Sequence, residues 1–190
     1  MRAFIAIELS QEIKSTLSIL QQSLQKTKAD VKWVEPQNIH LTLKFLGDIN
    51  EAQLNQISGI LDEAAKLNPA YSIRISELGA FPEIENPRVI WAGVDHGDSQ
   101  TKQINRILEK RLSSIGIPKE KNEFSAHITI GRVRSGKNRI KLSGELKRLN
   151  VGFTGKELQM QVSKILLFES KLSPKGPAYA PLKEANLKTT

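Results

Sequence analysis

Cysteine is missing altogether from these 190 residues. That removes a thiol nucleophile, a thiolate metal site and a disulfide framework together. Acidic side chains are also in deficit: 20 Asp plus Glu stand against 28 Lys plus Arg, a formal charge of +8. Such an excess favours polyanionic partners through long-range attraction and counterion release, and a basic surface kept for solubility is the competing account. No apolar run approaches the ~20 residues of a membrane span. The opening stretch Phe4-Ile5-Ala6-Ile7 is interrupted by Glu8, too short for the apolar core of an export signal. A cytoplasmic protein that does not meet a membrane is expected, as one domain or two small lobes sharing an interface.

Histidine is scarce too, at three, yet two of the three open the same pattern: His40-Leu41-Thr42-Leu43 and His127-Ile128-Thr129-Ile130. Each lies in an apolar, β-branched run that reads as a strand. Alternation along a strand puts His40 with Thr42, and His127 with Thr129, on one face about 7 Å apart. If the two strands lie side by side, two imidazoles and two hydroxyls converge on a cleft that fits a phosphoryl group. Leu41, Leu43, Ile128 and Ile130 then hold it from behind.

The two histidines are 87 residues apart, and that offset matches further pairs: Phe4 with Trp91, Ile75-Ser76 with Val162-Ser163, Leu78 with Ile165, and Phe81 with Phe168. The first half reads as a strand over Ala3 to Leu9 and a helix from about Ser10. The His40 strand follows, then a helix from about Asn50 stopped at Asn68-Pro69, and a strand over Tyr71 to Leu78. The second half reads as a strand over Arg88 to Val94, a helix from about Asp98, the His127 strand, a weaker helix near Lys137 to Leu149, and a strand from about Leu158 to Glu169. The tail, with Pro174, Gly176, Pro177 and Pro181, reads as loop plus one edge strand. One bilobal domain over 1–190 is expected, with an internal repeat at about 1–81 and 88–170. The crossover between lobes falls near Gly79 to Pro87.

A neutral imidazole accepts a proton and an imidazolium donates one, so a pair can serve an in-line displacement at phosphorus from opposite sides. Thr42 and Thr129 would hydrogen-bond the non-bridging oxygens. The scheme needs no metal and no cofactor, and it suits a strained 2′,3′-cyclic phosphate at an RNA end. Alternation places Lys44 on the face of His40 as a candidate phosphate contact. Arg132, after Gly131, is a second candidate, although either cation could simply face solvent. The basic density Arg132, Arg134, Lys137, Arg139, Lys141, Lys147 and Arg148 follows the second motif directly. Phe81, in a proline-flanked loop, is the best candidate for stacking on a base, whereas Trp91 reads as core and His96 as surface. A zinc site built from the three histidines lacks any usual ligand spacing.

The paired motifs resemble the 2H phosphoesterases, and most closely the prokaryotic RNA 2′,3′-cyclic phosphodiesterases, also called 2′-5′ RNA ligases. The likeness covers nearly the whole chain: Arg2-Ala3-Phe4-Ile5-Ala6, Trp33, Asn38 through Gly47, Pro87 through Trp91, His127 through Arg132, and Phe168-Glu169-Ser170. Ala126 departs from the family's usual proline, which should loosen the start of that strand slightly. The resemblance implies an α+β bilobal fold, two pseudo-two-fold related lobes of mainly antiparallel sheet with helices outside. It implies hydrolysis of an RNA terminal 2′,3′-cyclic phosphate to a 2′-phosphate, and reversible ATP-independent 2′-5′ joining. His40 takes the place of the proton donor and His127 that of the acceptor. Partners would be RNA ends bearing the cyclic phosphate, tRNA fragments among them, met by a monomer. The alternatives are a non-catalytic RNA-binding module, or a 2H enzyme for another small cyclic nucleotide or an ADP-ribose cyclic phosphate.

Overall fold

The structure is a computed structural model that describes residues 1–153, 158–174 and 176–189. Strand β1 (Arg2–Glu8) leads into helix α1 (Gln11–Gln25), which begins where the Ser10 hydroxyl accepts the Ile13 N–H at 3.3 Å. Such a cap is worth about 1 kcal/mol. Ile13, Leu17, Leu20 and Leu24 form its buried face, as their three-and-four spacing predicts. Helix α2 (Glu51–Leu67) starts at a reciprocal capping box between Asn50 and Gln53. Helix α3 (Asp98–Ser113) and helix α4 (Arg139–Phe153) complete the helical set among the described residues.

Strands β2 (Val31–Trp33), β3 (His40–Asp48), β4 (Tyr71–Phe81), β5 (Val89–His96), β6 (His127–Val133), β7 (Leu158–Val162), β8 (Lys164–Ser173) and β9 (Gly176–Asn186) join β1 in two antiparallel sheets. The first sheet has the order β3-β1-β8-β9 and the second β2-β6-β5-β4-β7. One continuous core, including Ile5, Ile7, Leu41, Leu43, Ile128 and Ile130, lies between the sheets and the helices. Each such side chain contributes roughly 1.5–3 kcal/mol by leaving water. A smaller apolar cluster of Phe4, Ala6, Leu166 and Phe168 occupies the opposite face of the first sheet.

The His40 and His127 strands are not hydrogen-bonded neighbours, contrary to the simplest expectation. Each belongs to its own sheet, and they approach across the seam between sheets. The Gly79–Pro87 segment is likewise no crossover. It closes the antiparallel hairpin of β4 with β5. The chain passes from sheet to sheet elsewhere: on either side of β2, at α2, and again at Ser163, where the single strand expected over 158–169 divides into β7 and β8. Strands are thereby exchanged between the halves: β2 and β4 complete the sheet of β5 and β6, and β8, followed by β9, completes the sheet of β1 and β3. The tail strand is fuller than expected, spanning 11 residues at a sheet edge, where Pro177 and Pro181 cost no central ladder bond.

Candidate active site

Antiparallel register decides which side chains share the face of His40. His40 lies opposite Glu8 and Thr42 opposite Ala6, on the face of the small cluster, while Leu41 lies opposite the core residue Ile7. A bulge then interrupts alternation, so that Lys44 opposes the core residue Ile5 and Phe45 opposes Phe4. His40 Nδ1 bonds the Asn38 carbonyl at 2.6 Å, and Nε2 bonds the Thr42 hydroxyl at 2.9 Å. A carbonyl only accepts, so Nδ1 carries the proton and Nε2 is the nitrogen that titrates. Asn38 is itself held, its Nδ2 donating to the Pro177 carbonyl of β9 at 2.7 Å. The ring packs 4.8 Å from Phe4 and meets Tyr179 nearly edge-on at 5.3 Å. A recess of about 360 Å³ opens beside it, lined by Glu8, Lys14, Asn38, Tyr179 and others.

The second motif repeats this construction. His127 Nδ1 bonds the Ser125 carbonyl at 2.7 Å, which again leaves Nε2 to titrate. Across β5, His127 faces Gly93 and Thr129 faces Trp91; after a bulge at Ile130, Arg132 faces Val89. Phe81 meets the His127 ring edge-on at 5.1 Å, the counterpart of Tyr179 against His40. Ala126 is buried, and its carbonyl accepts the Val94 N–H at 3.3 Å, so the absent proline leaves this strand start tied down.

Burial, which disfavours the charged ring, lowers the pKa of both imidazoles; the backbone bonds oppose it. Positive charge on Lys14 lowers His40 further, and that on Arg132 lowers His127. Arg132 also acts on the Tyr179 hydroxyl. One guanidinium thus stands within electrostatic reach of His127 and of the tyrosine that touches His40, and the strands β3 and β6 that carry the motifs approach each other. Gln21 of α1 holds the His127 strand, its Nε2 donating to the carbonyls of Val34 and Ile130 at 2.8 Å each. Among the described residues no group of three or more His, Cys, Asp or Glu side chains could hold a metal ion.

The sequence profile described as LigT like phosphoesterase matches residues 7–91 and again 94–179. The chain is 34% identical to an RNA 2′,3′-cyclic phosphodiesterase of Methanothermobacter thermautotrophicus, over 95% of this chain and 96% of that one. It is 35% identical to the protein of the same description from Aquifex aeolicus, over 96% and 95%. The chain belongs to the LigT-like phosphoesterase family. Its fold also matches solved structures: TT0787 of Thermus thermophilus (TM-score 0.80, 25% identity, 98% of each chain), and Escherichia coli LigT complexed with 3′-AMP (0.79, 22%, 98% of this chain and 97% of that one).

Within this LigT-like fold the motif residues stand on the site faces of the two sheets, whereas Lys44 does not. The bulge turns its side chain into the protein, where Nζ lies 2.6 Å from Glu109 and donates to the Pro118 carbonyl at 2.7 Å. Strict alternation, on which the expectation rested, fails at that point. Trp91 is not core either: paired with Thr129, it lies half-buried on the site face, 5.2 Å from Phe81. The close approach is possible because Gly79 lacks a side chain; a Cβ there would come within 2.3 Å of the indole. Phe81 is partly exposed against both His127 and Trp91, and His96 is exposed, as expected. Asn38 and Tyr179 escaped sequence reasoning. Asn38 acts through its backbone carbonyl, which carries no sequence signal, and Tyr179 sits in a strand disguised by prolines.

Proposed function

We propose that this protein hydrolyses the 2′,3′-cyclic phosphate at RNA ends to a 2′-phosphate. The observation that carries the reading is the matched tethering of both imidazoles by Nδ1, which presents two Nε2 atoms on the faces bearing Thr42 and Thr129. The relatives' descriptions name the same substrate chemistry. In the forward direction neutral His127 takes a proton from water as its oxygen attacks phosphorus. The bond from phosphorus to the 3′ oxygen breaks, and charged His40 gives that oxygen its proton. Thr42 and Thr129 orient the phosphoryl oxygens and stabilise the charge that grows on them, with Arg132 adding positive field. A 5′ hydroxyl in place of water gives a 2′-5′ bond, driven by relief of ring strain without ATP.

The chain is read as one bilobal domain with an internal repeat at about 1–81 and 88–170. Two profile matches whose starts differ by the histidine offset support this, as do the aromatic pairs Phe4–Phe168 and Phe81–Trp91, with ring centroids 5.3 and 5.2 Å apart. No helix is long and apolar enough to cross a membrane among the described residues. A monomer acting on RNA fragments in the cytoplasm, tRNA pieces included, fits this chemistry.

The test is EDTA-treated protein incubated with a nucleoside 2′,3′-cyclic phosphate, the product assigned by phosphorus NMR. The 2′-phosphate is expected. No turnover, or a 3′-phosphate product, overturns the reading.

A further inference from the structure

We propose that Lys32 and Arg132 form a subsite for the phosphate of the second nucleotide, so that the substrate is an oligoribonucleotide end rather than a free cyclic mononucleotide. This rests on the activity proposed above and concerns which molecule that activity meets. Lys32 stands on the edge strand β2, directly opposite Arg132, and Arg132 stands opposite Val89, which in turn opposes Phe81. Directly opposed residues project from the same face, so Lys32, Arg132, Val89 and Phe81 make one row across the second sheet. Trp91 and Thr129 lie in the next row on that face, two residues along β5, or about 7 Å away. The row therefore begins one short step from the catalytic motif and ends at the sheet edge. A chain leaving the site in that direction passes over it.

Part of the positive charge near this row is already engaged. In the basic stretch after the second motif, Lys147 pairs with Glu85 at 2.6 Å, Arg148 with Glu145 at 2.6 Å, and Arg139 donates to Asn86 at 2.8 Å. Lys32 and Arg132, both exposed, make no ion pair among the described residues, and neither do Arg134, Lys137 and Lys141. Two adjacent like charges repel, an arrangement that an anion between them relieves. Phe81, 37% exposed at the other end of the row and beside His127, offers an aromatic face for a base. A mononucleotide cyclic phosphate seated between the histidines has no second phosphate to place on Lys32 and Arg132. A dinucleotide does.

The experiment compares kcat/KM for a nucleoside 2′,3′-cyclic phosphate and for a dinucleotide ending in the same group, in wild type, Lys32→Gln and the control Lys147→Gln. Wild type should prefer the dinucleotide, and Lys32→Gln should cut that preference on the order of five-fold, as one exposed charge contact allows. Its salt dependence should weaken by about 0.7 in log–log slope. Lys147→Gln should leave the preference in place. Equal use of both substrates by wild type, or equal loss of preference in both variants, overturns the subsite while leaving the proposed reaction standing. Failure to turn over either substrate overturns the reaction itself.

Discussion

Lys44 and Glu109 form an ion pair of 2.6 Å behind the His40 strand, with 1% of the lysine side chain and 16% of the glutamate side chain exposed. The pair fastens β3 to α3 immediately after the bulge that separates Thr42 from Phe45. Lys44→Ala leaves the Glu109 carboxylate nearly buried and uncompensated, so a loss of about 3–5 kcal/mol is expected. The double replacement Lys44→Met with Glu109→Leu should recover most of it, because two apolar groups leave no stranded charge. Urea midpoints of wild type and the two variants check this.

His40→Ala and His127→Ala should each lower kcat for the cyclic phosphate by roughly 10²–10⁴-fold, the usual worth of a positioned acid or base. Thr42→Val and Thr129→Val should cost less, since each removes one of several donors to the phosphoryl oxygens. Circular dichroism of all four should match wild type. Near-normal kcat in either histidine variant contradicts the assignment.

Because burial lowers both imidazoles, kcat/KM should follow a bell whose maximum lies on the acid side of 6.5, the ordinary value for histidine. The two apparent constants belong to the pair rather than to either ring. Bound phosphate favours the charged ring, so the alkaline limb of kcat should stand above that of kcat/KM. Initial rates from pH 4 to pH 9 test both statements, and a flat profile in kcat/KM refutes the first.

Stability should follow the same two groups. Each ring binds its proton more weakly in the folded chain than in the unfolded one, so the unfolded state gains protons first as pH falls. The contribution is complete above 6.5 and is lost as pH drops through the lowered values. Wild type should therefore lose more stability between pH 7 and pH 5 than His40→Gln, as read from urea midpoints at the two pH values.

Gly79→Ala should displace the Trp91 ring, whose nearest atom would lie 2.3 Å from the new Cβ. A cost of about 1–3 kcal/mol is expected from overpacking, together with a shifted indole emission. In a Trp33→Phe background Trp91 is the one remaining tryptophan, so fluorescence reads that displacement directly.

Much of this was legible because the signals were periodic. Apolar spacing announced α1, α2 and α3, the first with its Ser10 cap, and α4 only as a weaker helix; two copies of His-x-Thr on β-branched runs announced both motif strands. What stayed hidden depends on single residues breaking a period. One bulge reverses Lys44, and no composition marks it. Ser163 divides a run that reads as one strand. Trp91 looks like core until Gly79 is seen beneath it. The three-residue strand β2 is too short to show a period, yet it carries Lys32 to the site face. Tyr179 reaches His40 only because β9 closes the first sheet, a pairing between residues far apart in sequence.

The swap of β4 and β8 between sheets carries a consequence for how the molecule can be divided. A cut in the hairpin between β4 and β5 leaves an amino-terminal piece owning one histidine but lacking the β8 that flanks its central strand, and a carboxy-terminal piece in the mirror predicament. Neither fragment holds a finished sheet, so each is a template only the other can fill. Turnover of a cyclic phosphate by the mixed pieces would report their reunion.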